Sequence, residues 1–394
     1  MRVLQIHNAY KQAGGEDSVV AAEADLLRSH GNEVRLFGAD NRAIDGPLSQ
    51  LIAAWRAVYS VPSRQRLEQV LADWQPDVVH VHNLFPLLTP SVFDACIAFG
   101  VPTVMTLHNF RLVCPGALLF RQGRICEDCL GTSPWRAVMH RCYRGSLPGS
   151  LVVARMAAYH QRRRTWQRKV DRFIVMSEFA RSKFASVGWE PERISVKSHF
   201  CRQPVPVENS GETRSGALFA GRLSSEKGLE ILLAAWQNMP RELRLAGDGP
   251  MRGTFESCDN GNIHLLGWLS SAELSVEMAK AACLVVPSMC YESFGVVVIE
   301  AFARGLPVIA SRIGALPELV EDGVTGLLFE PGNAEELAAK ARQLLENPAE
   351  AVRMGNNARE VYAARYTPEK NYPQLLSIYQ EAIDEKKADS RPRD

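Results

Sequence analysis

Short, continuous apolar runs alternate with helical segments along nearly the whole chain, and this pattern limits the fold more than any other feature. RVLQIHN at 2–8, VRLFGA at 34–39, DVVHVHN at 77–83 and PTVMTLHNF at 102–110 are predicted strands that lack the regular apolar–polar alternation of a half-exposed strand. Such strands are typical of parallel sheets, whose crossover helices cover both faces. The pattern therefore predicts βα units and an α/β, doubly wound architecture.

The series of strands and helices starts again after CRQPVPVENSGETRSG at 201–216, which we interpret as a linker because it has no apolar period. It divides the chain into an N-terminal Rossmann-like domain (1–205), a C-terminal Rossmann-like domain (206–365) and a C-terminal helix (366–394). We expect that helix to pack back toward the N-terminal domain. The two domains would face a central cleft, where ligands bind at the carboxyl ends of parallel strands.

The composition excludes several classes of protein. No apolar run approaches the roughly 20 residues of a membrane span, and the N-terminus lacks the apolar core of a signal peptide. Nine cysteines in a chain of 394 residues argue against a disulfide framework, so we expect a cytoplasmic protein. Although the net charge of the chain is only +1, residues 101–172 contain 13 Lys and Arg but only 3 Asp and Glu. This excess indicates either a surface for an anionic partner or a merely solvated face. We expect no nucleic-acid partner.

Two loops that follow predicted strands are suited to bind a diphosphate. In AGGEDSVV, Gly14 and Gly15 let the backbone approach a ligand, and the next helix offers free N–H groups. In GRLSSEKG, Arg222 and Lys227 place two cations on a loop that leads into a helix. Taken alone, each loop is equally well explained by turn glycines or by solvated surface cations.

The stretch YESFGVVVIEAFARGLP combines an apolar run with two carboxylates eight positions apart. Glu292 precedes a helix that we predict to begin near Phe294, and Glu300 lies within that helix. Carboxylates accept hydrogen bonds from paired hydroxyls such as those of a sugar or a ribose. N–H groups at the helix start, those of Ser293, Phe294 and Gly295, would bind phosphate. Surface or capping residues remain the alternative for each glutamate, but the combination favours a nucleotide sugar.

Together, Glu292-x7-Glu300 within ESFGVVVIEAFARGLPVIAS and the motifs AGGED, TLHN and AGRLSSEKG resemble the retaining glycosyltransferases of family four. The resemblance covers nearly the whole chain and is best over 216–332. It implies the GT-B fold, two Rossmann-like domains that face a central cleft. It also implies a hexosyltransferase, without a metal in catalysis, that acts in polysaccharide or glycoconjugate biosynthesis.

The resemblance assigns roles to single residues. Glu300 resembles the family residue that binds the ribose hydroxyls, and Glu292 the one at the donor sugar beside the reacting carbon. His108, in TLHNF, resembles the histidine at the donor sugar. The family often has an acid after that histidine, whereas this chain has Asn109, so a proton relay through this position is not implied.

The remaining roles concern the diphosphate and the base. Arg222 and Lys227 resemble the clamp that stabilises the leaving group, and these two are expected to take part in catalysis with Glu292 and His108. The other donor-binding positions are Gly14 and Gly15 over the diphosphate, and Leu266 and Gly267, in LLGW, at the base.

The resemblance leaves the substrates open. We expect a UDP-sugar as the donor, with a GDP-sugar as the alternative, and a glycan, lipid-linked or small-molecule acceptor. The sequence leaves two alternative functions open. One is a non-catalytic nucleotide-sugar-binding module of a polysaccharide assembly complex, and the other is a GT-B epimerase or phosphorylase.

An insertion at 114–145 of the N-terminal domain carries four cysteines, including a C-x2-C pair. Four thiolates could complete a tetrahedral structural zinc site, and His140 is a substitute ligand. The alternatives are reduced buried thiols or a redox-sensitive pair. The proposed ligands are Cys114, Cys126, Cys129 and Cys142, and the cysteines assigned to packing are Cys96, Cys201, Cys258, Cys283 and Cys290.

The basic excess is concentrated in LVVARMAAYHQRRRTWQRKVDRF at 151–173, which we predict to be a helix with an apolar half and a basic half. A basic amphipathic helix can lie on an anionic membrane surface. The sequence therefore predicts peripheral contact with the inner face of the membrane. The alternative is that the apolar stripe packs on the sheet and the arginines are simply solvated.

Overall fold

The computed structural model describes residues 1–11, 14–202, 214–256 and 261–389. The chain divides into two compact units. Unit 1 comprises Met1–Leu119, Cys126–Lys197 and the residues from Tyr372 onward, and unit 2 comprises Phe120–Ile125 and Ser198–Asn371. Most of the predicted linker, and Cys258, lie outside the described residues.

The first sheet consists of β1 (Arg2–Ala9), β2 (Glu33–Asp40), β3 (Val78–Asn83), β4 (Thr103–Thr106), β7 (Arg172–Val175) and β8 (Ile194–Val196). A small antiparallel hairpin pairs β5 (Phe120–Arg121) with β6 (Arg124–Ile125). The helices of this half are α1 (Gly15–Ser29), α2 (Pro47–Arg56), α3 (Val61–Trp74), α4 (Ser91–Ala98), α5 (Arg136–Met139), α6 (Leu147–Arg163), α7 (Thr165–Lys169) and α8 (Glu178–Ala185). The six strands of the sheet are parallel, in the order β2-β1-β3-β4-β7-β8.

The second sheet consists of β9 (Ala217–Ala220), β10 (Leu243–Ala246), β11 (Ile263–Gly267), β12 (Cys283–Val286), β13 (Val308–Ser311) and β14 (Gly326–Phe329). Its helices are α9 (Leu229–Trp236), α10 (Arg252–Glu256), α11 (Ser271–Lys280), α12 (Val296–Ala303), α13 (Leu316–Leu319), α14 (Ala334–Leu345) and α15 (Pro348–Arg365). The last helix is α16 (Pro368–Asp389). These strands are also parallel, in the order β11-β10-β9-β12-β13-β14.

Apolar strands buried on both faces form the two cores. Every residue of β3, β4, β10, β12, β13 and β14 is buried, which confirms the prediction from the continuous apolar runs. In unit 2, Trp236, Val285 and Phe329 pack in one cluster with the helices. In unit 1, Leu375 and Tyr379 of α16 are buried together with residues of β1, β3 and β4.

Each sheet has one point where the chain reverses its direction of winding. In unit 1 the chain runs from β1 to β2 and then crosses to β3, so the loops after β1 and β3 lie side by side. In unit 2 it runs outward through β9, β10 and β11 and returns to β12, so the loops after β9 and β12 are neighbours. Ligands of doubly wound sheets bind at such switch points, beyond the carboxyl ends of the strands.

One predicted strand was too long. We predicted it over 102–110, whereas β4 ends at Thr106. The chain then turns, with the Val113 and Cys114 N–H groups donating to the Phe110 carbonyl, so His108 lies on a loop. Among the described residues, no helix is long and apolar enough to cross a membrane.

Candidate functional site

The loops after β9 and β10 cross each other in unit 2, backbone against backbone. The Gly247 N–H donates to the Gly267 carbonyl at 2.7 Å, and the Gly221 N–H donates to the Ala246 carbonyl at 3.0 Å. A β-carbon at Gly247, where φ is 143°, would lie 1.9 Å from the Gly221 carbonyl oxygen. Glycine is therefore required at this crossing, which fixes the loop that carries Arg222.

A second glycine brings Lys227 to the switch point. Lys227 ends a short 3₁₀ turn, and Gly228 follows it with a φ of 72°. A β-carbon at Gly228 would lie 1.8 Å from the Pro287 carbonyl oxygen. The loop after β9 therefore packs directly on the end of β12, and the Met289 N–H donates to the Glu226 carbonyl.

This packing pairs two of the predicted site residues. The Lys227 Nζ lies 2.6 Å from the Glu292 Oε1, and the Ser288 Oγ donates to the same oxygen at 2.6 Å. Burial opposes ionisation of Glu292, but Lys227 holds the pKa of its carboxyl below the usual value. Burial likewise opposes the charge on Lys227, but Glu292 raises the pKa of the ammonium. Arg222, the other predicted cation, is exposed on the same loop.

Glu300 lies on α12 without such a partner. The described residues give its carboxylate no hydrogen-bond donor, and burial raises the pKa of Glu300 to about 7. An isolated, partly buried carboxylate is stabilised by any donor that a ligand brings. The side chain can therefore accept hydrogen bonds from hydroxyls, in keeping with its predicted role.

The predicted start of this helix was wrong by two residues. Gly295, with a φ of 135°, is the N-cap, and α12 begins at Val296. A left-handed φ cannot continue a right-handed helix, so Gly295 delays the start. The Phe294 side chain is buried against the rings of His199 and Tyr366. Phe294 is thus a core residue, and only its backbone remains available for the role predicted for Ser293, Phe294 and Gly295.

Leu266 and Gly267 end a strand instead of forming a free loop. They are the last two residues of β11, and Gly267 has a φ of 72°. The Gly267 carbonyl is occupied by the Gly247 N–H, whereas Trp268 beyond it is 72% exposed.

In unit 1, Gly14 and Gly15 lie where the predicted glycine loop meets a helix. Gly14 is the N-cap of α1, and the Asp17 carboxylate accepts its N–H at 2.8 Å. The His7 Nε2 lies 2.8 Å from the same carboxylate. A β-carbon at Gly15 would meet no described residue within 4 Å.

A pocket of about 530 Å³, including the part open to solvent, lies in unit 1 beside these glycines. The predicted His108 lines it, together with three ionisable residues that the sequence did not single out, Glu16, His82 and Arg111. The His82 Nδ1 lies 3.1 Å from the His108 Nε2. Burial lowers the pKa of His82 to about 4. Burial raises the pKa of Glu16 to about 7, although a hydrogen bond from the Tyr10 hydroxyl opposes the shift.

Behind the pocket lies a buried polar cluster that the sequence analysis also missed. Its centre is the Glu23 carboxylate, 2.9 Å from the His80 Nδ1 and 3.4 Å from both the His82 Nε2 and the Lys197 Nζ. Burial opposes ionisation, but His80 and Lys197 hold the pKa of Glu23 well below its usual value. The Tyr379 hydroxyl lies 2.7 Å from the His80 Nδ1.

The ligand atoms of Glu23, His80 and His82 all lie within 4.8 Å of one another, close enough for a metal ion. The Lys197 ammonium already supplies a cation to this carboxylate. The sequence signal for part of the cluster was the two-residue spacing of His80 and His82 in DVVHVHN, which places both on one face of a strand.

The predicted basic helix is broken, and its apolar half is divided between the interior and the surface. α6 ends at Arg163, and Arg164 has a φ of 48° before α7 begins. In the predicted apolar half Met156 is buried, whereas Leu151 and Tyr159 are exposed. The structure therefore matches neither a fully exposed apolar stripe nor one that is packed wholly on the sheet.

Comparison with known families matches both halves of the chain. A model described as Glycosyltransferase Family 4 matches residues 6–199, and a model described as Glycosyl transferases group 1 matches residues 205–361. An uncharacterized glycosyltransferase of Methanocaldococcus jannaschii is 35% identical over 45% of this chain and 50% of its own length. The alpha-D-kanosaminyltransferase of Streptomyces kanamyceticus is 27% identical over 72% of this chain and 71% of its own length. The sulfoquinovosyl transferase SQD2 of Arabidopsis thaliana is 29% identical over 75% of this chain and 55% of its own length.

Solved structures match the fold over nearly the whole chain. Sucrose-phosphate synthase from Thermosynechococcus elongatus has a TM-score of 0.75 at 21% identity, covering 98% of this chain and 99% of that one. HepE of Anabaena, solved in complex with UDP and glucose, has a TM-score of 0.65 at 19% identity, covering 95% and 98%. These likenesses confirm the predicted architecture of two doubly wound α/β domains.

Proposed function

Because the chain belongs to glycosyltransferase family 4 and has the GT-B fold, we propose that it is a retaining transferase that moves a sugar from a nucleoside diphosphate to an acceptor hydroxyl. The observation that carries the proposal is the ion pair of Lys227 and Glu292 at the switch point of unit 2. A cation for a leaving phosphate and an acceptor for sugar hydroxyls stand there within one hydrogen bond of each other.

The reaction makes and breaks bonds at one carbon. The bond from the anomeric carbon to the β-phosphate oxygen breaks, and the acceptor oxygen bonds to the same face of that carbon. The acceptor's proton passes to the departing phosphate. Negative charge grows on the diphosphate, and preorganised cations lower the barrier by stabilising it. Lys227 and Arg222 are the residues proposed for that task, so catalysis needs no metal ion.

The other roles follow the chemistry of the donor. Glu292 accepts hydrogen bonds from the transferred sugar, and Glu300 accepts them from the ribose. The first turn of α12 faces phosphate with N–H groups that lack partners within the helix. Gly14 and Gly15 form the glycine turn that approaches the diphosphate, and the end of β11 at Leu266 and Gly267 contacts the base.

We propose a UDP-sugar as the donor, since HepE was solved with UDP-glucose as well as with UDP and glucose. A GDP-sugar is the alternative. The acceptor is a glycan, a lipid-linked glycan or a small molecule used in polysaccharide or glycoconjugate synthesis. The unit 1 pocket offers it His108, Glu16 and Arg111 as hydrogen-bonding side chains.

The experiment is a panel of nucleotide sugars in two assays. Thermal unfolding finds the donor, because a ligand at a hundredfold excess over its dissociation constant stabilises the folded state by about 2.7 kcal/mol. Release of nucleotide with candidate acceptors, in the presence of a chelator, then tests transfer. A donor that stabilises the protein but is never consumed would indicate the binding module. Conversion of the nucleotide sugar without an acceptor would indicate an epimerase. A reaction that requires inorganic phosphate would indicate a phosphorylase.

The proposed membrane contact has better support on α2 than on the broken basic helix. Leu48, Leu51, Ile52 and Trp55 form an exposed stripe at helical spacing, and Trp55 is 78% exposed. The Arg155 side chain of α6 donates to the Trp55 carbonyl, so α6 lies alongside. Its Leu147 and Leu151 are exposed too, and exposed cations stand on the same elements or beside them, at Arg56, Arg141 and Arg144.

An apolar stripe beside exposed cations suits an anionic membrane surface, where each cation contributes about 1 kcal/mol. With this contact the protein would work in the cytoplasm, at the inner face of the membrane. Sedimentation with anionic vesicles at low salt should retain the wild type and lose the Leu51→Ser/Trp55→Ser variant. Val352→Ser, at an exposed apolar residue of α15, is the matched control. Equal binding to neutral and anionic vesicles, or none to either, would contradict the proposal.

A further inference from the structure

The unit 1 pocket contains one guanidinium. Among the described residues that line it, Arg111 is the only lysine or arginine, and Glu16 is the only acid. Asn83, which ends β3, and His108, two residues beyond β4, line it too, so the pocket lies at the carboxyl ends of these strands. Ligands of doubly wound sheets bind at this edge. Arg111 is therefore placed where a bound molecule would meet it.

The side chain of Arg111 is held in place by two aromatic rings. Its Cζ lies 5.1 Å from the centroid of the Phe85 ring and 5.7 Å from that of the Tyr143 ring. The planes of the two rings are inclined by 80°, so the guanidinium occupies a corner between them. Its Nη1 also donates to the Pro115 carbonyl at 3.4 Å. Rings against a guanidinium cover its face and leave N–H groups at its edge for a ligand.

The backbone next to Arg111 is fixed as well. The Asn109 side chain accepts the Arg111 N–H at 3.0 Å. The Cys114 N–H donates to the Phe110 carbonyl at 2.7 Å, and the Phe110 N–H donates to the Ala117 carbonyl at 3.1 Å. The loop after β4 is thus hydrogen-bonded to the cysteine insertion. A side chain on such a loop is positioned before a ligand binds, which reduces the entropy that binding costs.

Among the residues that the structure describes, no carboxylate forms an ion pair with Arg111. The Glu16 carboxylate accepts instead from the Tyr10 hydroxyl at 2.9 Å. The Lys183 ammonium, also half-buried in unit 1, has such a partner, because its Nζ lies 2.6 Å from the Glu127 carboxylate. A cation that is partly withdrawn from water and has no counterion gains more from an anionic ligand than a paired cation does.

A second arginine adds to the positive potential beside the pocket. The Arg144 Cζ lies 5.4 Å from the Tyr143 ring, which Arg111 also contacts, and Arg144 is exposed. Neighbouring cations raise the local concentration of an anion. Both arginines belong to the basic stretch 101–172, for which the sequence left either an anionic partner or a solvated face. The position of Arg111 favours the anionic partner.

We propose that Arg111 binds an oxyanion of the acceptor, a phosphate or a carboxylate, and thereby selects anionic acceptors. This inference rests on the proposed transfer reaction, in which Lys227 and Arg222 serve the diphosphate of the donor. A planar guanidinium forms two parallel hydrogen bonds with an oxyanion. The anion positions the acceptor and takes no part in making the glycosidic bond, so Arg111 determines specificity.

The first test is calorimetric binding to the full chain, saturated with the nucleotide that the panel identifies. The probes are glucose 6-phosphate and glucuronic acid, each compared with uncharged glucose. We expect both anions to bind the wild type about tenfold more tightly than glucose, the effect of a hydrogen bond between charged groups. Arg111→Gln should lose this preference, and Arg111→Lys should keep part of it. Arg162→Gln, at an exposed arginine of α6 that does not line the pocket, is the matched control.

The second test is turnover with the acceptor that the panel identifies. Arg111→Gln should raise KM for the acceptor about tenfold and leave the affinity for the nucleotide unchanged. Weaker nucleotide binding would assign Arg111 to the diphosphate of the donor and overturn the proposal. So would equal binding of anions and glucose to the wild type, or anions that bind Arg111→Gln as tightly as the wild type. If Arg111→Gln does not fold, Arg111→Lys gives the same comparison.

A failure of this proposal differs from a failure of the proposed function. Transfer to a neutral acceptor as fast as to its anionic counterpart would leave the transferase and remove the anion site. An anion preference that depends on Arg111, in a protein that never transfers a sugar, would leave the anion site and remove the transferase.

Discussion

The two units hold their grouped charged side chains in opposite ways. In unit 2, Lys227 and Glu292 come from the two loops at the switch point and remain partly open to solvent, at 31% and 16% exposure. In unit 1, Glu23 and Lys197 are each only 3% exposed and are gathered with His80 from distant parts of the chain. The first pair can exchange its partners for those of a ligand, whereas the second is closed off from ligands.

We expect the pair in unit 2 and the cluster in unit 1 to affect different properties of the protein. A partly exposed ion pair contributes less to folding than a fully buried one, because water still solvates part of each charge. A buried cluster depends on every member, because removal of one leaves the others charged in an apolar environment. The pair in unit 2 should therefore matter for turnover, and the cluster in unit 1 should matter first for the free energy of unfolding.

Loss of the Glu23 carboxylate is expected to have the largest effect. Glu23→Ala should lower the free energy of unfolding by about 3–5 kcal/mol, because Lys197 and His80 lose the anion that compensates them. Denaturant titration of Glu23→Ala, of a control variant and of the wild type measures this change in the free energy of unfolding. Asp25→Ala, two positions along α1 at an exposed residue, should change stability by less than about 0.5 kcal/mol.

Equal stabilities of Glu23→Ala and Asp25→Ala would remove the distinction between the two units. Lys197→Met is a useful companion, because the double variant Glu23→Ala/Lys197→Met should recover part of the loss. Two buried partners in contact are expected to be non-additive.

Loss of Lys227 should mainly affect turnover. Lys227→Ala should reduce kcat by about 100-fold or more, the range seen when a preorganised charge-stabilising group is removed. Its unfolding free energy should change little, and Lys280→Ala, at an exposed residue of α11, should keep full activity. If Lys227→Ala were as unstable as Glu23→Ala, the pair of Lys227 and Glu292 would have a structural role, like the Glu23 cluster.

The same contrast explains which features could be predicted from the sequence. The two sheets follow from continuous apolar runs, and the unit 2 site follows from loops in which glycine and charge stand side by side. The Glu23 cluster does not, because Glu23, His80 and Lys197 are far apart along the chain and meet only through the order of the strands. The start of α12 was misplaced because a helix pattern cannot reveal that Gly295 takes a left-handed φ.

Substitutions of Glu292 and Glu300 should affect different properties, turnover and ligand binding respectively. Glu300→Ala should weaken UDP and UDP-sugar binding alike, by about 30-fold, since a hydrogen bond to a charged group is worth about 2 kcal/mol. Glu292→Ala should lower kcat far more than it weakens binding of free UDP. Calorimetric titration with both ligands, together with steady-state rates, separates the two profiles. Identical profiles for the two variants would contradict the division between ribose and sugar.

The smallest expected effect is a pH dependence of donor binding that belongs to Glu300. Burial raises the pKa of this carboxyl to about 7 in the free protein, and hydroxyl donors of a bound ribose would lower it by favouring the ionised form. Binding then expels a proton below pH 7, so affinity should fall as the pH falls. The affinity should be about tenfold weaker at pH 6 than at pH 8, because one pKa unit is a factor of ten.

UDP-glucose suits the measurement because its diphosphate does not titrate in this range. Over the same range Glu292 stays ionised, Lys227 stays charged, and Cys201 stays protonated because burial raises the pKa of its thiol to about 12. Glu300→Gln cannot ionise, so its affinity should be flat with pH. If the variant kept the wild-type slope, the titrating group would lie elsewhere, and the pocket of unit 1, where burial raises the pKa of Glu16 to about 7, would be the next place to test.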